Sequence, residues 1–148
     1  MIEYPEAKSE VTKYFEFLKT EYGYSGPFEW QCAYDKEYTY VKGNHYLNIA
    51  FDGAFFLSVG ETKKVIPELA TGKLKLGDIN HNERKSFDLM YLLSQEEKTA
   101  HHNINNSDEE LMFWANIIKN NSEILIGNWN KFSIKYKITK YIKTIISK

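Results

Sequence analysis

The chain has a single cysteine, Cys32. One thiol excludes an intramolecular disulfide and a cysteine-based zinc site, and it fits a reducing compartment. No apolar run approaches the ~20 residues that a membrane span needs. The opening residues Met1-Ile2-Glu3-Tyr4-Pro5-Glu6 carry neither a basic start nor an apolar core, so they do not read as a signal peptide. The expectation is a soluble cytoplasmic protein with no membrane association. Motifs for common chemistry are also missing. Gly72-Lys73 and Gly77-Asp78 match neither the phosphate-loop spacing nor the dinucleotide spacing, and there is no HExxH zinc helix. A GxSxG nucleophile elbow is absent too. No cofactor is expected.

Aromatic residues are abundant, at 16%, with eleven Tyr and nine Phe among 148 residues. A chain of this length buries roughly 70% of its unfolded surface and needs no covalent staple, so a single domain over 1–148 is the simplest organisation. Residues 45–59 are its organising stretch. Two apolar runs flank Asp52-Gly53, a strong hairpin signal. Leu47, Ile49 and Phe51 share one strand face, as do Phe55, Leu57 and Val59. A three-residue loop, Phe51-Asp52-Gly53, keeps the two sets on one side by placing Ile49 opposite Phe55 and Leu47 opposite Leu57. Gly53 would then take the left-handed position of a type I turn with a bulge.

Before the hairpin, Val11, Tyr14, Phe15, Leu18 and Tyr22 form one helical stripe, which predicts a helix over 6–22 ended by Gly23. Phe28, Trp30, Cys32 and Tyr34 alternate with polar residues as in a half-buried strand. The alternation continues through Tyr38 and Tyr40, and because one strand over 28–41 would be unusually long, a bend or bulge is expected near Asp35-Lys36-Glu37. After Gly60, a short helical turn is expected near 66–70, a helix over 82–94 and a polar surface loop over 95–106. Within the second of these, Phe87 to Leu93 also reads as a buried strand. Ser107 and Glu110 have capping-box spacing for a helix reaching about Ile126. Residues 133–146 repeat a helical pattern, although Ile134 to Ile138 also alternate as a strand would. The fold class is therefore α+β: an N-terminal helix, an antiparallel meander of at least three strands, and a helical C-terminal half.

Candidate chemistry is sparse. Asp78, His81 and Glu83 supply an imidazole and carboxylates for general acid–base work, and a small hydrolase or transferase using His81 and Glu83 is the alternative function. The structural explanation is that Asp78 or Asn80 caps a helix with Glu83 in its first turn. His101-His102 lack the spacing to converge on one metal ion. His45 reads as a histidine at the edge of the core, and Cys32 as a small buried hydrophobe. Residues 131–148 hold six lysines and no acid, which leaves −7 for the remainder within a net charge of −1. The predicted sheet carries Glu29, Asp35, Glu37 and Asp52, so nucleic acid is not the expected partner. Tyr34, Tyr38, Tyr40 and Tyr46, with Trp30, exceed what one sheet face needs. Tyrosine and tryptophan beside acids have the composition of a protein-binding patch. Asp35, Glu37, Tyr38 and Tyr40 are the expected contact residues, and wrapping of the tyrosines by helices is the structural alternative.

Two stretches carry a resemblance to small bacterial immunity-type proteins of polymorphic toxin systems. One is Tyr14-Phe15-Glu16-Phe17-Leu18-Lys19-Thr20-Glu21-Tyr22-Gly23-Tyr24. The other is Leu111-Met112-Phe113-Trp114-Ala115-Asn116-Ile117-Ile118-Lys119 with Ile124-Leu125-Ile126-Gly127-Asn128-Trp129-Asn130-Lys131-Phe132. Neither is a catalytic signature. The resemblance implies a protein that binds without catalysis, its partner a toxin domain held by a complementary surface.

Overall fold

A computed structural model describes residues 7–127. Among these residues, five strands form one antiparallel sheet in sequential order: β1 (Ser25–Gln31), β2 (Lys36–Lys42), β3 (His45–Phe51), β4 (Phe55–Thr62) and β5 (Arg84–Asp88). Helices α1 (Ala7–Phe15) and α2 (Phe17–Thr20) precede the sheet. The short α3 (Pro67–Ala70) lies between β4 and β5, and α4 (Gln95–His102) and α5 (Ser107–Asn120) follow. Among the described residues, no helix is long and apolar enough to cross a membrane.

The first sheet face is apolar because alternate residues repeat across the register. Tyr38 opposes Ile49 and Tyr40 opposes Leu47. Ile49 opposes Leu57 and Leu47 opposes Val59, which in turn opposes Phe87. This face meets Val11, Phe15 and Leu18 from the N-terminal helices, and Leu111, Trp114 and Ile118 from α5, in one buried cluster. Each fully buried large apolar side chain there contributes roughly 1.5–3 kcal/mol over exposure. Glu110 ties α5 to the sheet, its Oε1 accepting from the Phe55 N–H at 2.6 Å.

Half of the second face is covered as well. Val41 and Tyr46 pack with Leu69, Leu76 and Ile79 from the connection between β4 and β5, and Phe28 joins them. Gly60 is required for this closure. A Cβ there would lie 2.3 Å from the Tyr46 ring and 2.2 Å from the Lys85 carbonyl oxygen. The close approach lets the Tyr46 hydroxyl reach Ser86 Oγ and the Lys85 carbonyl.

Several expected elements differ from the structure. The stripe over 6–22 holds, but the helix divides at Glu16 into α1 and α2. The long strand over 28–41 is two strands, with Gln31 paired to Lys36, and the expected bend is a complete reversal through residues 32–35. The Cys32 N–H closes that turn on the Asp35 carbonyl at 2.8 Å.

The central hairpin has the expected three-residue loop, displaced by one position to Asp52-Gly53-Ala54. Phe51 therefore opposes Phe55, Ile49 opposes Leu57 and Leu47 opposes Val59. Moving the pairing by two residues keeps every apolar side chain on its face. It also gains the Phe51–Phe55 ring contact, 4.8 Å between centroids, as the closing pair. Gly53 has φ 71° as expected, but it is the second loop residue and not the third.

The expected helix over 82–94 is β5 followed by a tight turn over Leu89–Leu92. Without β5, β4 would leave a row of unpaired backbone groups at a sheet edge. The pairing of Phe87 with Val59 satisfies that row and buries the ring. The polar stretch 95–106 is not a loop. Ser94 and Glu97 form a capping box that starts α4, a helix that buries none of its residues. For α5 the cap is Asn106, whose side chain accepts from the Glu109 N–H at 2.9 Å. Ser107 is buried as the first helical residue, and Glu110 turns toward the sheet. The helical reading of 133–146 and the basic segment 131–148 lie outside the described residues, as does part of the second stretch of the immunity resemblance.

Candidate binding site

Among the described residues, no helix or connection covers the other half of the second sheet face. The register places Trp30 opposite Glu37, Glu37 opposite Ala50 and Ala50 opposite Phe56, so these four residues form one transverse row. Neighbouring strands lie about 4.8 Å apart, which separates the two aromatic residues by roughly 14 Å along the row. Phe56 is 58% exposed at the hairpin end of β4, beyond the residues that pair with β5, while Phe55 and Leu57 beside it are buried. Trp30 and Glu37 are half-buried. Tyr34 stands 88% exposed in the reversal between β1 and β2. The loop holding Asp52 lies at the same end of the sheet, since alternate turns of a meander share an end.

A chain of hydrogen bonds fixes the carboxylate in this row. Thr39 Oγ1 donates to Asn48 Oδ1 at 2.7 Å, and Asn48 Nδ2 donates to Glu37 Oε1 at 2.7 Å. The Cys32 thiol donates to Glu37 Oε2 at 2.9 Å. Thr39 and Asn48 are buried, so the chain is anchored in the sheet.

The Cys32 thiol is pushed up to about 12, first by desolvation, then by its bond to Glu37 and the charges of Glu37 and Asp35; Lys75 opposes the shift weakly. A thiol that holds its proton so firmly is a poor nucleophile. Asp35 is also raised, first by desolvation and then by the charge of Glu37. Ligand atoms of Cys32, Asp35 and Glu37 all lie within 4.8 Å of one another, the one group of three among the described residues able to hold a metal ion.

Of the residues expected at a partner surface, Asp35 and Glu37 border this uncovered face, both half-buried. Tyr38 and Tyr40 do not. Both rings are 0% exposed in the core beneath α1 and α5, so the expectation of an exposed patch there is corrected. The physical reason is parity: residues 38 and 40 share the face that packs on the helices, and 37 and 39 share the other. Tyr46 is buried on the second face.

Asp78, His81 and Glu83 are all exposed, and no hydrogen bond or ion pair joins them. Asn80 caps the tight turn over His81–Glu83 by accepting from the Asn82 N–H. His45 lies 3.6 Å from Glu61. On α4, His101 packs against Phe113 and Trp114 with its Nε2 3.4 Å from Glu110, while His102 is exposed. The two neighbours diverge, as adjacent helical residues do.

Sequence reasoning missed Phe56. The signal was available in strand parity, because Phe56 falls between Phe55 and Leu57 and must face away from their core.

No protein-family model matches the chain, and neither a curated protein nor a solved structure matches it.

Proposed function

We propose that the protein is a cytoplasmic protein-binding module, an immunity-like inhibitor that holds a bacterial toxin domain on the uncovered half of its sheet. The observation that supports this most is Phe56, a phenylalanine exposed at the hairpin end of β4 within a row that also holds Trp30 and a fixed carboxylate. Interface energy concentrates in aromatic anchors, and flanking charges steer association. Tyr34 and Phe56 take the anchoring role that Tyr38 and Tyr40 cannot. Asp35, Glu37 and Asp52 supply the steering field for a basic partner.

The reading expects a toxin domain to be encoded beside the protein's own gene, and the test uses that domain, with binding followed by calorimetry and stopped-flow kinetics. Phe56→Ala should raise the dissociation rate about thirtyfold, equivalent to ~2 kcal/mol, with the melting temperature unchanged. Failure of the wild-type protein to bind that domain, or equal dissociation of wild type and Phe56→Ala, overturns the reading.

A further inference from the structure

Resting on the binding reading above, we propose that the row Trp30–Glu37–Ala50–Phe56 is a receptor for one arginine side chain of the partner. The row has two aromatic walls with a carboxylate and the smallest side chain of the four between them. Ala50 leaves the space beside Phe56 low, so that an extended side chain can lie across β3 against the ring. An arginine guanidinium is planar, stacks on aromatic faces and presents a fork of donors matched to a carboxylate.

Glu37 is prepared for such a fork. Each carboxylate oxygen has about two acceptor positions. One position on Oε1 is filled by Asn48, and one on Oε2 by the Cys32 thiol. A position remains on each oxygen, the pair that a bidentate guanidinium uses. The buried Thr39–Asn48 bond holds the orientation in advance, which lowers the ordering cost of binding. Among the described residues no lysine or arginine forms an ion pair with Glu37 or Asp35. Asp35 is raised first by desolvation and then by the charge of Glu37, and an incoming cation relieves that second contribution. A lysine ammonium would meet the charge but neither the fork nor the ring faces.

The probe is N-acetyl-arginine methylamide, compared with its neutral isostere N-acetyl-citrulline methylamide, titrated into the whole protein by NMR. The arginine compound should shift the Trp30 indole N–H, the Ala50 amide and the Phe56 ring saturably, with a dissociation constant in the millimolar range and weaker binding at high salt. The citrulline compound should leave them in place. Glu37→Gln should weaken the response at least tenfold. Phe56→Ala, at an exposed position, supplies a second variant that retains the fold and should also weaken it. Equal shifts from both compounds, or no response of the row to the arginine compound, overturn the proposal. If the toxin domain still binds in that case, the arginine receptor fails alone; if arginine binds but the toxin domain does not, the toxin reading fails alone.

Discussion

Removing one oxygen from Tyr40 should stabilise the protein. The Tyr40 ring is fully buried beside Leu47, and its hydroxyl finds no hydrogen-bond partner among the described residues. Desolvation, and to a smaller extent the charge of Glu16, hold its pKa well above the ordinary tyrosine value, so it is neutral at pH 7. A buried polar group without a partner costs about 1–3 kcal/mol. Tyr40→Phe removes that group and leaves the ring in its packing, so a gain of about 1 kcal/mol is expected. For a chain of this size that is ~2–4 °C in melting temperature.

Tyr40→Ala at the same position should lose about 3–5 kcal/mol, because it empties a ring-sized space under α1 and α5. The opposite signs are the test. Urea unfolding followed by circular dichroism at pH 7 reads both, and the slope with denaturant should stay constant for Tyr40→Phe. A Tyr40→Phe variant less stable by about 1 kcal/mol would show that the hydroxyl is satisfied, and would refute the reasoning.

Gly53→Val should destabilise the hairpin by about 1–2 kcal/mol, since a β-branched residue is strained at the positive φ of this loop; an unchanged midpoint in urea would show that the loop relaxes. Stability should also fall in alkali. Cys32 and Tyr24 are raised to about 12, and Tyr38 and Tyr40 higher, from ordinary values of 9.0 and 10.0. Above pH ~9 the unfolded chain loses these protons while the native state keeps them, so stability is fully present below the ordinary values and declines as pH rises toward the folded ones. A melting temperature flat to about pH 8.5 and then descending is expected, and constancy to pH 11 would contradict the assignment.

The parts of the fold legible in the sequence were those fixed by side-chain period. Leu47, Ile49, Leu57 and Val59 share the buried face as their alternation required, and the stripe Val11, Phe15, Leu18 packs as its spacing required. What parity leaves open is a displacement by two residues, because every side chain returns to its own face. The hairpin register slipped by that amount, and what distinguishes the two pairings is the Phe51–Phe55 contact and the seating of Tyr46 opposite Gly60. The first residues of β5, Arg84 to Ser86, failed to read as a strand for a different reason. Their pairing satisfies a distant edge, β4, and Phe87 is the one buried residue among the five. For α4 the capping signal at Ser94 and Glu97 was present, but the helix buries nothing, so the apolar period that usually marks a helix had no cause to exist.

The candidate surface required a step that local patterns do not contain. Tyrosines beside acids drew the expected patch to Tyr38 and Tyr40, yet composition does not report the face on which a residue falls. Once the reversal at residues 32–35 is known, parity places Trp30, Glu37 and Phe56 together, and the same parity buries Tyr38 and Tyr40. A bend at that point would have continued β1 into β2 and left Trp30 and Glu37 far apart along one strand. The reversal folds them into adjacent positions, and Cys32 reaches Glu37 only because the turn closes. The candidate site is thus a product of topology. Its residues are separated by up to 26 positions in the chain, from Trp30 to Phe56, and three antiparallel pairings bring them into one row.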